Sequence, residues 1–412
     1  MHHHRDHREK ANLAAIRALI ASDPVLIAVE SADRAMGLPK STVLTSGPAM
    51  PFGSYTGGQR AAIIGGALYE GLAADEAEAV AAFERGDIQV RGCQEFGCVG
   101  SLAGVTTASM PVVVVADDRS GDRAYCTLYE GDSADRLNYG SYTEATRSNL
   151  EDLRLRIAPA LNALINSQTE ALRLKPIMSR AVTMGDELHS RNAAATLLLL
   201  RRLLVGAKQL GAELEAVLDS LCDDYFFLRL SMAASKVMAN AMRGFDGSSV
   251  VTAMAFSCAE FGIQTSGTGD RWFTGPLPTF DDYLLESGCD AGDIEFMGGE
   301  STITEVVGLG GLAQAAGLPL HRSSGRDAST MIARTTAMYE ITVTESPDFL
   351  IPVLNYRGTP LGLDVAKIAA KADLTPFLDI GIAGRSGRQI GGGVAKAPLV
   401  PFSKAWDALH PM

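Results

Sequence analysis

From residue 144 to 244 the sequence keeps helical periodicity almost unbroken, and on both sides of that stretch short β-branched runs alternate with glycine-rich loops. A hundred residues of helix flanked by strand-forming segments separates helical from sheet-forming regions along the chain. The expected class is therefore α+β and multi-domain, two glycine-rich α/β regions separated by a mainly helical domain or insertion. Boundaries are expected at 1–143, 144–246 and 247–412. A chain of 412 residues suits such a division, because single cores rarely keep growing beyond roughly 250–300 residues.

In the first region the spacing predicts a helix over 12–20, a strand over 24–29, a helix over 61–70 and another capped by Asp75 and closing near Gly86. Strands follow over 87–90, 110–116 and 125–129. The central region reads as helices over 147–165, 187–204, 212–221 and 226–242. Beyond it come strands over 250–256 and 261–265, helices over 304–316 and 328–335, and strands over 349–356 and 378–382.

A net charge of −12 disfavours nucleic acid and anionic membrane surfaces as partners and leaves a small-molecule substrate as the starting class. Apolar runs such as Ala193-Ala-Ala-Thr-Leu-Leu-Leu-Leu200 end well before the roughly 20 residues a membrane span needs. The opening residues lack the apolar centre of a secretion signal, so a cytoplasmic protein is expected. Six scattered cysteines point to reduced thiols. Cys93 and Cys98, spaced C-x4-C without a second pair, make a poor zinc signature, and no metal is expected. Gly308-Leu-Gly-Gly-Leu-Ala313 matches a dinucleotide fingerprint only superficially, because its surroundings read as helix. No cofactor is expected.

The densest polar segment is Met184-Gly-Asp-Glu-Leu-His-Ser-Arg-Asn192. With Asp186 as helix N-cap, His189 falls in the first turn, where the helix dipole favours an anion. Arg191 and Asn192 would bind it, Glu187 would pair with Arg191 at i,i+4, and His189 would move a proton, with Glu187 and Asp186 as further catalytic candidates. The same residues also make an ordinary capped helix start. Other candidates for binding an anionic substrate are Glu95 and Ser101 in the loop that carries Cys93, then Ser248 and Ser249. Asp270 and Arg271 follow in Gly269-Asp-Arg-Trp-Phe273, Arg357 at a strand end, and Arg388 with Gln389 in the glycine-rich loop 384–393. The helix entered at residues 55–60 offers a further anion position, or a capping loop alone. Each of the others equally fits a turn or surface ion pair.

Several segments together carry a family resemblance: Gly65-Gly-Ala-Leu-Tyr-Glu-Gly71, Tyr125-Cys-Thr-Leu-Tyr-Glu-Gly131, Met184 through Asn192, Phe226-Phe-Leu-Arg-Leu-Ser-Met-Ala-Ala234, Gly247-Ser-Ser-Val-Val-Thr252, Gly269 through Phe273, and Gly381-Ile-Ala383 with Gln389-Ile-Gly391. Over nearly its whole length the chain resembles the bacterial DUF1116 (YlbE-like) family, whose members include the oxamate carbamoyltransferase subunit of anaerobic allantoin degradation. The resemblance implies reversible transfer of a carbamoyl group between oxamate and phosphate, with carbamoyl phosphate as the energy-rich substrate. It implies a heteromeric complex with a larger subunit similar to acyl-CoA synthetases and a further small subunit; a homo-oligomer is also compatible. It supports Asp186, Glu187, His189, Arg191 and Asn192 as site residues. The segment after Cys93, histidine-rich in many relatives, reads Gln94-Glu95-Phe96 here, which bears on substrate choice. Two other readings compete: an amidohydrolase or lyase acting on a small ureido compound, and a noncatalytic assembly subunit.

Overall fold

A computed structural model describes residues 2–131, 133, 135–206, 211–320, 327–385 and 387–409. In chain order the first region holds α1 (His2–Ala21), β1 (Pro24–Ser31), α2 (Ala32–Met36), β2 (Thr42–Thr45), α3 (Gly57–Tyr69), α4 (Glu76–Arg85), β3 (Gln89–Gly92), β4 (Pro111–Asp117) and β5 (Arg123–Thr127). The valine run of β4 explains the architecture. Side chains alternate across a strand; Val113 and Val115 enter the main core, whereas Val112 and Val114 join Ala32, Leu38, Leu44, Cys93 and Cys98 in a smaller cluster on the opposite face. A strand covered on both faces needs no polar side, hence the unbroken valines. α4 follows its sequence signals, with Asp75 accepting from the Glu78 N–H at 2.8 Å and Gly86 closing the helix at φ +79°.

The central region contains α5 (Glu144–Asp152), a π-helical turn at Leu153–Ile157, α6 (Ala158–Asn166), β6 (Leu172–Arg173), α7 (Leu174–Thr183), α8 (Ala193–Gly206), α9 (Gly211–Leu221) and α10 (Leu228–Asn240). It is not detached from what precedes it: β6 joins the edge of an antiparallel sheet ordered β5-β4-β1-β6. α10 crosses the face of β4 and β5 and also meets α1 and α7. Eleven of its residues, from Arg229 to Ala239, are buried, so it runs through the interior with polar and charged groups that a surface helix would send to water.

The last region brings β7 (Val251–Phe256), β8 (Phe261–Thr265), β9 (Phe273–Gly275), β10 (Thr279–Leu285), β11 (Ile294–Glu295), α11 (Ile303–Val306), α12 (Ala328–Met338), β12 (Thr342–Ile351), β13 (Arg357–Leu363), α13 (Val365–Lys371), β14 (Phe377–Gly384), β15 (Gln389–Lys396) and α14 (Leu399–Leu409). They form sheets ordered β7-β8-β9 and β10-β15-β14-β11 and the pair β12-β13. The α+β class with distinct helical and sheet regions is thus observed. Among the described residues no helix is long and apolar enough to cross a membrane.

Four expectations need correction. The helix expected over 187–204 begins at Ala193, because Gly185 at φ +103° and Leu188 at φ +69° turn the preceding segment into a compact loop. The helix expected over 304–316 breaks into α11 and a 3₁₀ turn, Gly310–Ala313, around Gly308 and Gly310, both at positive φ. The strand expected over 349–356 lies earlier, at Thr342–Ile351, so Arg357 opens β13 instead of closing a strand. The glycine-rich stretch after Arg388 is strand β15, between β10 and β14. A Cβ on Gly391 would stand 2.3 Å from the Leu284 carbonyl oxygen and one on Gly393 2.7 Å from that of Asp282. Those glycines serve close strand approach.

Candidate active site

A cavity of about 330 Å³ is walled by residues from all three regions. Ser101, Leu102, Tyr129, Arg136, Asn138 and Tyr139 come from the first; His189, Ser190, Tyr225, Leu228 and Arg229 from the helical stretch; Phe256, Leu284, Leu285, Glu286, Ser301, Ile380, Gln389 and Gly391–Gly393 are among those from the last. Pockets of this size suit small ligands.

His189 is the best-organised group in the wall. The loop that carries it is closed by its own polar atoms. Glu187 accepts from the Ser190 and Arg191 N–H groups, and its carbonyl accepts from Gly310 N–H at 2.8 Å. Asn192 donates to the His189 carbonyl at 2.9 Å, and Ser231 donates to that of Leu188 at 3.0 Å. The imidazole Nδ1 lies 2.8 and 3.1 Å from the two carboxylate oxygens of Glu305. Glu305 is itself fixed by Thr304 Oγ1 and by the N–H groups of Gly311 and Asp379. With Nδ1 engaged, Nε2 is the ring nitrogen left for a ligand. Burial pulls the imidazole pKa down, but the charge and hydrogen bond of Glu305, reinforced by Glu187 and Asp379, hold it above its ordinary value. A buried carboxylate orienting an imidazole in a cavity is an arrangement for proton transfer.

The predicted helix-start geometry is replaced by this loop. Arg191 pairs with Asp186 at 2.5 Å, not with Glu187, and Asp186 also accepts from the Ala195 N–H in the first turn of α8. Both carboxylates are fully buried. Burial pushes the Asp186 carboxyl up, and burial followed by the nearby Asp379 pushes Glu187 up to about 8. Of the segment 184–192, only His189 and Ser190 line the cavity; Asp186, Glu187, Arg191 and Asn192 build the loop behind them.

Other candidates divide clearly. Ser101 and Gln389 line the cavity, where Tyr139 donates to Gln389 Oε1 at 2.8 Å. Arg388 pairs at 2.6 Å with Glu286, a lining residue. Ser248 and Ser249 lie in a buried network with Asn12, and Ser249 also donates to Asp364. Glu95 holds Arg91 and the Gly92 N–H. Asp270, its side chain 85% exposed, pairs with Arg243, and the Arg271 guanidinium covers Phe273. Arg357 pairs with Glu345 at 2.8 Å over the Tyr339 ring. None of these last six, Ser248 through Arg357, borders the cavity. The N-terminus of α3, read as an anion position, is met by the protein's own Glu295, which accepts from Gly58 N–H at 3.3 Å.

Sequence reasoning missed Arg136, Arg229, Asn138, three tyrosines and Glu305. Arg229 stood inside a quoted segment, but an arginine in a helix that also carries serines and a lysine gave no local signal; nothing near Glu305 in sequence points to His189. Among the described residues no group of three or more His, Cys, Asp or Glu is placed to hold a metal.

Residues 88–301 match the family described as oxamate carbamoyltransferase subunit AllG. The chain is 34% identical over 411 residues to the protein of that description from Escherichia coli (strain K12), covering 97% of each. It is also 34% identical over 408 residues to the uncharacterized protein YahG of the same organism, covering 96% of this chain and 84% of that one. A crystal structure of a conserved protein of unknown function from Enterococcus faecalis V583 superposes with a TM-score of 0.93 at 32% identity, covering 98% of this chain and 97% of that chain. With a cavity built from segments that span this shared length, the chain belongs to the oxamate carbamoyltransferase subunit AllG family.

Proposed function

We propose that this chain carries a carbamoyl-transfer site in which His189, held by Glu305, shuttles one proton between oxamate and phosphate. The observation that carries the reading is the His189–Glu305 pair, with one ring nitrogen committed to a carboxylate and the ring facing the cavity. In the forward direction the oxamate amide nitrogen attacks the carbonyl carbon of carbamoyl phosphate. The new N–C bond forms, the C–O bond to the phosphoryl group breaks, and the products are N-carbamoyl oxamate and phosphate. Protonated His189 gives its proton to the departing phosphate oxygen and recovers one from the attacking amide, so charge and protons balance over the cycle. The backbone and side-chain donors around the cavity orient both anions, which lowers the barrier by holding them in reacting geometry. The site works in a complex with a larger acyl-CoA-synthetase-like subunit and a further small subunit.

The test is phosphate release and N-carbamoyl oxamate formation from carbamoyl phosphate and oxamate, with the chain alone and with its partner subunits. His189→Asn is expected to lower kcat roughly 100- to 10,000-fold in the active assembly. Unchanged turnover would remove the assigned role. Phosphate release that does not require oxamate would favour a hydrolase.

A further inference from the structure

The chain is strongly acidic, yet the charged side chains lining its main cavity are Arg136, Arg229, His189 and Glu286, and Glu286 is paired by Arg388. Arg229 is the unusual one. It stands near the start of the buried helix α10 and is 5% exposed, and neither Nε nor Nη1 makes a hydrogen bond among the described residues. No carboxylate of those residues lies within ion-pair distance of it. Glu130, the acid whose charge reaches it, is instead engaged by the N–H groups of Leu137 and Asn138 at 2.6 and 3.1 Å. Cys126 offers only a weakly accepting thiol.

A buried guanidinium whose only polar neighbour is a thiol carries an uncompensated desolvation penalty. That penalty is offset when an anion enters beside it. The neighbouring groups indicate which anion. Arg136 donates to the Gly131 carbonyl at 3.0 Å and lies over the Tyr139 ring, 4.4 Å from its centre, so its guanidinium is held in place while bordering the cavity. Tyr129 and Tyr225 also line it. A carboxylate is satisfied by one two-pronged donor. Two guanidiniums suit a group with three outward oxygens and up to two charges.

We infer that Arg229 and Arg136 form the phosphoryl subsite of the cavity, one that inorganic phosphate occupies by itself, while the amide-bearing acid lies on the His189 and glycine-strand side. The identity of the second ligand rests on the carbamoyl-transfer reading; the phosphate subsite stands without it. At about 330 Å³ the cavity has room for both small ions together, so the two are expected to bind simultaneously.

The experiment is a calorimetric titration of the full chain with inorganic phosphate, with and without saturating oxamate, on the wild type, Arg229→Gln and Arg229→Lys. Loss of hydrogen bonds to a charged group predicts that Arg229→Gln weakens phosphate roughly 10- to 100-fold, with Arg229→Lys, which keeps charge but not the fork, in between. Oxamate is expected to leave phosphate binding in place. Tyr129→Phe, which removes the hydroxyl that accepts from Arg136 Nη1 at 3.5 Å, is a milder change expected to weaken phosphate several-fold and serves if Arg229→Gln fails to fold. Wild-type phosphate affinity in folded Arg229→Gln, or in Tyr129→Phe where that variant stands in, overturns the inference, as does strict competition between oxamate and phosphate. Arg229-dependent phosphate binding without carbamoyl transfer in the complete assembly would keep the subsite and sink the reading. Transfer with phosphate binding indifferent to Arg229 would do the reverse.

Discussion

Glu305→Gln separates charge from shape at the site. In the wild type, Glu305 Oε1 accepts from Gly311 and Asp379 N–H at 2.9 and 3.0 Å, and Oε2 accepts from Thr304 Oγ1 at 2.9 Å. A glutamine with its oxygen at the first position keeps both backbone bonds. Its NH₂ then donates to Thr304 Oγ1, whose own hydrogen is free to turn to the Ser301 carbonyl, 2.9 Å away. What disappears is the negative charge facing His189. Removing an opposite charge at this range shifts a partner's pKa by roughly one to three units, or about 1.4–4 kcal/mol, and burial then dominates and drives the imidazole down. A general acid loses activity as pH rises through its pKa. The alkaline limb of the kcat/KM profile should therefore move downward by about one to three units, with a loss of roughly 10- to 1,000-fold on that limb and partial recovery at acid pH. The assay is phosphate release over a pH series, paired with NMR titration of the His189 ring. The stability sign is fixed by the same shift. An imidazole whose folded pKa is raised contributes stability that is fully present below its unfolded value of 6.5 and is lost as pH rises through the folded value. The thermal deficit of Glu305→Gln should accordingly be largest at acid pH. An alkaline limb that does not move would refute the reasoning.

Two further outcomes follow from neighbouring geometry. Gly310→Ala places a Cβ 2.4 Å from Glu305 Oε1 and 3.0 Å from the His189 Cβ, on a residue at φ +54°; it should cost about 1–3 kcal/mol and lower kcat while phosphate affinity holds, measured by thermal melts and calorimetry. Glu300, buried and accepting from Gly47 and Gly100 N–H, has its carboxyl pushed by burial from 4.5 up to about 8. Its contribution is greatest below pH 4.5 and lost as pH rises through about 8. Glu300→Gln should start less stable at pH 5 and converge on the wild type towards pH 8; parallel melting curves would count against this.

Local chemistry made much of the fold readable. The strand at residue 24, the helix between Asp75 and Gly86 and the hairpin of β7 and β8 follow from caps, glycines and β-branched runs that act within a few residues. The site was readable only in part. His189 was found because polar residues crowd around it, but the crowd forms a loop, and its proposed partners Glu187 and Arg191 are occupied there. Glu305 lies 116 residues away, and no spacing rule connects the two. Arg229 was hidden for a different reason: an arginine in a helix reads as a surface residue until burial of the whole helix is known. The glycines of β15 were misread because flexibility and close strand packing call for the same residue.

A cavity whose walls are drawn from residues 101–139, 189–229 and 256–393 has a consequence for how the protein matures. Contacts this distant in sequence close late and slowly, after loop entropy has been overcome. A ribosome-bound chain lacks β15, and therefore one wall, until residues 389–396 have emerged. Partly folded intermediates, common in chains of this length, can hold native secondary structure yet have nowhere to bind substrate. Ligand binding should thus be the last property to return on refolding, behind helical signal, and anions that fill the completed cavity should act as chemical chaperones that draw the chain through its final step.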